Sequence, residues 1–344
     1  MNREIEPGIL QDAQPDILIP YDLTTTGDSL LNSSIAVISV RPETNKVIYE
    51  AAIIHAISPY AAVVYLASLS GNLINEDAIV AAHYSSQLQF AIEGKKEMAK
   101  YPEMIDIFEE KFKVCFETAP IIGAFDAVLE HHLAIDFEEL FSTIVPEADF
   151  IEFYGQTIKK ISGYYVLNYD IPAIITRHHA NTAMFIIAIR LKDNTHRFSD
   201  LHHLIYEGMS KNANTGLIGP QIQQNPPLEW YNRVRRTYHM SRSHIEAMFD
   251  MTDYVFKNNR ERIGFRDTPL GQKLLQLGIM KADELEERLS ELKENPLVYL
   301  NQPDGSKKLV DIILEGKILH DSTFEENSLD ECSGIFAQIN WGKK

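Results

Sequence analysis

Two short apolar runs constrain this chain more than any other feature: AMFIIAIRL at Ala183–Leu191 and SIAVISV at Ser34–Val40. Both are rich in β-branched residues, and neither alternates as a half-exposed strand would. They fit buried strands. Residues 60–66 supply a third run of this kind. Asn45 to Ala56 reads as a buried helix, broken at Ser58-Pro59 because a residue before proline is biased away from helix, with a strand from Ala61 to Ala67 after it. The expected fold class is therefore an α/β or α+β amino-terminal region, followed by a mainly helical carboxy-terminal module.

Further strands are expected at Val114–Thr118, Tyr164–Asn168 and Ile171–Thr176, and helices around Ala124–His131 and Phe137–Ile144. Residues 211–227, KNANTGLIGPQIQQNPP, have linker composition. The chain divides on this reading into an extended arm or cap (1–32), an α/β domain (33–210), the linker (211–227), a mainly helical module (228–325) and an irregular acidic tail (326–344). The module would open with one amphipathic helix from Leu228 to Lys257, since Trp230, Val234, Tyr238, Ser241, Ile245, Met248, Thr252, Val255 and Phe256 share one side of a helical wheel. Helices at Pro269–Leu277 and Ala282–Lys293 follow, then extended segments at Leu297–Leu300 and Lys308–Ile313 around a Pro303-Asp304-Gly305 turn.

Within that module, LGQKLLQLGIM from Leu270 is echoed by LVDIILEGKIL from Leu309, with ADELEERLSEL between them. This fragment resembles the amino-terminal domain of type II secretion ATPases, some of which bind a cyclic dinucleotide. The likeness rests on Leu and Gly spacing shared by many small helical modules, and it assigns no family here.

Charge narrows the function classes. Acids outnumber bases 49 to 32, a formal net charge of -17, which opposes an extended nucleic-acid surface because phosphate contacts need concentrated Lys and Arg. Ala51 to Asn75 carries no Asp, Glu, Lys or Arg, but His55, Pro59 and several serines interrupt it, so no membrane span is expected. Cys115 and Cys332 are isolated, without metal or disulfide spacing. With no secretory pattern in the first residues, the expected location is the cytoplasm.

Three histidine doublets stand out, His131-His132, His178-His179 and His202-His203, where chance placement of twelve histidines would give about 0.4. Imidazoles and carboxylates are ligands for divalent zinc, iron or manganese. The metal candidates are His178, His179, His202, His203, Asp200 and Glu207. His178 and His179 lie in a loop between strong strands; Asp200, His203 and Glu207 would share one side of a helix capped by Ser199. The same stripe suits a plain solvated face, and neighbours on a helix point about 100° apart, so a doublet seldom gives both ligands to one ion.

The second feature is basic. Residues 233–266 hold eight Lys or Arg against four acids, a local +4 in a chain whose remainder is -17 - 4 = -21. Arg233, Arg235, Arg236 and Arg242 would form a ligand-binding face, because guanidinium groups suit bidentate contacts with phosphate. The ordinary alternative is an intramolecular ion-pair surface, with Arg235, Arg242, Glu246 and Asp253 together on an exposed side of the helix. There is no GxSxG, P-loop, GxGxxG or HExxH motif. The expected function is therefore that of a soluble non-enzymatic regulatory or ligand-binding protein, free to form homo-oligomers, whose Arg-rich helix recognises a phosphate-bearing small molecule or an acidic protein surface. The alternative is a metal-dependent hydrolase with a His/carboxylate site, for which the cofactor would be a divalent metal.

Overall fold

The computed structural model describes residues 13–21, 34–42, 45, 47–130, 132–192, 197–214, 238–258, 260–299, 309–310, 313, 328–339 and 341. The strands are β1 (Asp16–Ile19), β2 (Ile35–Val40), β3 (Ala61–Ser70), β4 (Ile121–Gly123), β5 (Phe150–Phe153), β6 (Gln156–Ile161), β7 (Tyr164–Leu167), β8 (Ala183–Leu191), β9 (Tyr238–Met240), β10 (Phe256–Asn258) and β11 (Glu261–Arg262). Among the helices are α1 (Val47–Ile57), α2 (Ser85–Glu93), α3 (Phe137–Ser142), α4 (Ile171–Thr176), α5 (Phe198–Asn214) and α6 (His244–Tyr254). The content is mixed α/β, with three sheets among the described residues. No helix among them is long and apolar enough to cross a membrane.

The chain forms two compact units, one from residues 1–79 and 178–269, the other from residues 80–177 and 270–344. In the first unit, five strands run in the order β1-β3-β8-β2-β9, every pair antiparallel. The two runs that open the sequence argument are central here. β2 is buried at all six positions and pairs with β8 from Ile35↔Arg190 to Val40↔Phe185. One sheet face carries Ala36, Ile38, Val40, Ile187, Ile189, Tyr238 and Met240 into a core completed by Ala52, Ile53 and Ile57 of α1 and by Phe198, Leu201 and Ile205 of α5. The period of two along a strand turns His239 of β9 the other way, opposite Ser39 of β2.

The second unit has a four-stranded sheet, β4-β7-β6-β5, with β4 and β7 parallel and the other pairs antiparallel. Its hairpins turn at Tyr154-Gly155 and Ser162-Gly163, four residues with positive φ, as the tight turns matching strand twist require. Ala91, Ala124, Ala127, Leu140, Val166 and Ile171 form its core. The described elements after Asp267 are helical: Pro269–Gln276, Leu285–Glu294, a 3-10 turn at Pro296–Tyr299, and Leu329–Gln338.

Several local expectations are corrected. Ile171–Thr176 is a helix, not a strand; Pro172 sits in its first turn, where a missing amide donor costs nothing. Residues 114–118 form a turn, and the strand comes later, at β4. Pro296–Tyr299 is 3-10, and Leu329–Gln338 is a helix with a Ser328/Glu331 capping box inside the stretch expected to be irregular. The single helix over 228–257 does not form: residues 228–237 lie outside the described residues, 238–240 are strand, and the helix begins only at His244. Ser243 explains the break, holding φ -143° and accepting the Glu246 amide hydrogen at 3.1 Å on its side chain, as an N-cap does. The Pro303-Asp304-Gly305 turn also lies outside the described residues.

Candidate functional site

The most unusual chemistry of the first unit is at the start of α6. Glu246, Asp250 and Asp253 stand at i, i+4 and i+7, one side of a helix, and all three are buried, at 4%, 0% and 1% exposure. An exposed face bearing Glu246 and Asp253 is therefore overturned: the acids point inward. Burying carboxylates is costly unless hydrogen bonds and opposite charge compensate them.

The compensation comes from the connection between β9 and α6. Ser241 continues the β9–β2 pairing, its amide donating to the Val37 carbonyl at 2.9 Å and its hydroxyl accepting the Val37 amide hydrogen at 2.9 Å. The same hydroxyl donates to Asp250 Oδ2 at 2.7 Å. The Arg242 amide donates to Glu246 Oε2 at 2.6 Å. His239 Nε2 lies 3.4 Å from Glu246 Oε1 and 3.4 Å from Asp250 Oδ2, so one imidazole faces two carboxylates.

That arrangement displaces titration. The Glu246 carboxyl is raised to about 7, chiefly by burial and also by Asp250, against the opposing effects of His239, Arg242 and the Arg242 amide. His244, the first residue of α6, is pushed down to about 4 by burial; its ring lies 5.0 Å from that of Phe198. The centre can thus hold or give up a proton near neutral pH, the range in which acid-base groups and proton-linked switches operate.

The residues singled out from sequence are placed differently. Arg233, Arg235 and Arg236 lie outside the described residues, while Arg242 is half-buried beside Glu246. His178 is buried and its carbonyl accepts from Asn75 at 2.6 Å; His179 is exposed, with its carbonyl on the Thr182 amide and hydroxyl. Asp200 accepts the Arg197 amide hydrogen at 2.8 Å, and His202 Nδ1 lies 3.2 Å from the Tyr238 hydroxyl. His203 and Glu207 are together, at 3.2 Å on the exposed side of α5. Among the described residues, no three of His178, His179, Asp200, His202, His203 and Glu207 bring ligand atoms within 4.8 Å of one another.

Downstream in the basic island, Lys257, Arg260 and Arg262 are engaged by acids of their own unit. Lys257 pairs with Asp267 at 3.0 Å, Arg260 with Glu76 at 3.1 Å and with Asp77, and Arg262 with Asp77 at 3.6 Å. The residues that sequence reasoning missed are His239, Ser241 and Asp250. Glu246 had a local signal, the Ser243-x-x-Glu246 pattern of a capped helix start. No protein-family model, curated protein or solved structure matches this chain.

Proposed function

We propose that this chain is a non-enzymatic regulatory or ligand-binding protein that takes a phosphate-bearing small ligand through Arg233, Arg235, Arg236 and Arg242. The observation that supports this reading is the division of the basic island. Its downstream members Lys257, Arg260 and Arg262 are engaged by Asp267, Glu76 and Asp77, so the local excess of positive charge rests on the upstream arginines. Three acids and five Lys or Arg lie in 233–257, a balance that favours one compact anion over a long polyanion. Arg242 is positioned through its own backbone, since its amide hydrogen is held by Glu246. Guanidinium groups then supply the bidentate hydrogen bonds that phosphate oxygens accept.

The test is calorimetric titration of the full chain with inorganic pyrophosphate and with ATP, repeated on an Arg235→Ala, Arg242→Ala double variant, with a polyglutamate peptide as the comparison. Each charge-assisted bond is worth about 1.5–3 kcal/mol, so the double variant should bind at least about a hundredfold more weakly. Wild-type affinity should also fall as salt is raised. Unchanged affinity in the double variant refutes the reading. Binding of polyglutamate but of neither phosphate compound transfers the site to an acidic protein partner.

A further inference from the structure

Among the described residues, β9 spans three positions and ends the strand order of its sheet, a length that backbone pairing alone holds weakly. Besides β2, the core holds Tyr238 and Met240 on one face; on the other, Ser241 bridges Val37 and Asp250, and His239 faces Glu246 and Asp250 on consecutive turns of α6. We propose that His239, Glu246 and Asp250 are a proton-operated latch, which holds β9 on α6 while Glu246 carries a proton and loosens it when Glu246 is ionised.

The geometry carries the direction. His239 offers one ring nitrogen to two buried carboxylates, 3.4 Å from each, so both carboxylates ionised together bury more negative charge than that one contact can offset. Within this unit, the ionisable groups on the elements packed on α6 are few. β9 brings His239, β11 brings Glu261 and Arg262, and the Phe265–Asp267 turn brings Arg266 and Asp267. β2 has none, α5, whose Phe198 meets His244, carries Asp200, His202, His203 and Glu207, and α6 itself adds His244, Asp250, Asp253 and Tyr254. His239, Asp250 and the adjacent Arg242 act on Glu246, and the largest influence is its burial. With the folded carboxyl titrating about 7 and an open one near 4.5, the latch is strongest below 4.5 and weakens as pH rises through 7. Between pH 6 and pH 8 the opening constant should rise about tenfold. The latch does not depend on ligand binding and stands or falls apart from it.

Hydrogen exchange by mass spectrometry on the full chain tests this, following peptides over 238–241 from pH 5 to pH 8.5 after correction for intrinsic exchange, with β8 peptides as the internal reference. The expected result is a loss of β9 protection of about tenfold between pH 6 and pH 8 while β8 holds. Glu246→Gln, which keeps the shape but cannot ionise, should abolish the step. Ser241→Ala should lower β9 protection at every pH and leave the step in place. A wild-type profile without a step, or a step that survives in Glu246→Gln, overturns the latch. Should Glu246→Gln lose β8 protection and so fail to fold, carboxyl carbon NMR on the wild-type chain decides: Glu246 titrating near 7 supports the latch, and titration near 4.5 overturns it.

Discussion

Replacing His244 by Gln should remove the acid limb of stability of the first unit. The imidazole is 7% exposed at the first position of α6, packed 5.0 Å from the Phe198 ring, and burial holds its titration at about 4 against 6.5 in an open chain. A folded value below the unfolded one means that the neutral ring contributes stability in full above 6.5. This contribution is lost as pH falls from 6.5 through 4. The shift, 6.5 - 4 = 2.5, multiplied by about 1.4 kcal/mol per unit gives a ceiling of about 3.5 kcal/mol, of which about 3 is reached at pH 4. Charge at that position would also oppose the positive end of the α6 dipole, in the same direction. The assay is urea titration at pH 4 to 8.5 with hydrogen exchange read on β8 peptides, so that opening of this unit is measured by itself. Wild type should lose about 3 kcal/mol relative to His244→Gln between pH 7.5 and pH 4, and the difference should be flat above pH 7.5. Glu246 contributes in the opposite direction, so taking the difference between the two proteins cancels it. Parallel stability curves across this range would refute the argument.

Two substitutions test the packing. In Gly71→Ala the new methyl would lie 2.1 Å from the His179 carbonyl oxygen and 2.6 Å from Thr182 Oγ1, and backbone cannot yield as a side chain does. A loss of about 1–3 kcal/mol in urea denaturation of the first unit is expected, and wild-type stability would show that the 178–182 loop shifts freely. In the second unit, Asn168 is 1% exposed with φ 51°, donating to the Gln87 carbonyl at 2.8 Å and Gln156 Oε1 at 2.7 Å and accepting the Thr157 amide hydrogen at 2.8 Å. Asn168→Ala strands three buried groups at about 1–3 kcal/mol each, so the α2 and β6 peptides should lose protection together by more than about 3 kcal/mol; independent, smaller losses would mean that water replaces the side chain.

The sheet of the first unit was legible where the sequence is locally unambiguous. β8 is found at the residues its composition indicated, β2 is one residue shorter, and α1 with its break at Ser58-Pro59 is in place, because unbroken apolar runs leave few alternatives. Runs that mix signals misled. Ile171–Thr176 is apolar and β-branched enough for a strand, yet Pro172 is harmless in a helix's first turn, and periodicity alone does not separate the two over six residues. The 228–257 wheel failed for a related reason: Tyr238 and Met240 suit alternate positions of a strand as well as turns of a helix, and Ser241 and Ser243 draw the backbone into other hydrogen bonds. β5 and β6 were missed because the hairpin depends on positive φ at Tyr154, a residue that does not advertise a turn.

The candidate site shows how far such reading reaches. A Glu and two Asp spaced by four and three on a helix are read as its wet side, because acids are rarely buried unless paired. What reverses the assignment is the pairing of β9 with β2, which brings Val37 to Ser241 across 204 residues of chain. The neighbouring 239–242 segment gives Asp250 a hydroxyl donor, Glu246 an amide donor, and both an imidazole, and the sheet buries them. The Ser243-x-x-Glu246 pattern was visible and would have started the helix in the right place, but it could not have said that Glu246 titrates about neutrality, since that follows from burial. Arginine recognition of an anion depends on residues adjacent in sequence and can be proposed from sequence. The proposed proton-linked response depends on burial that only the folded sheet creates.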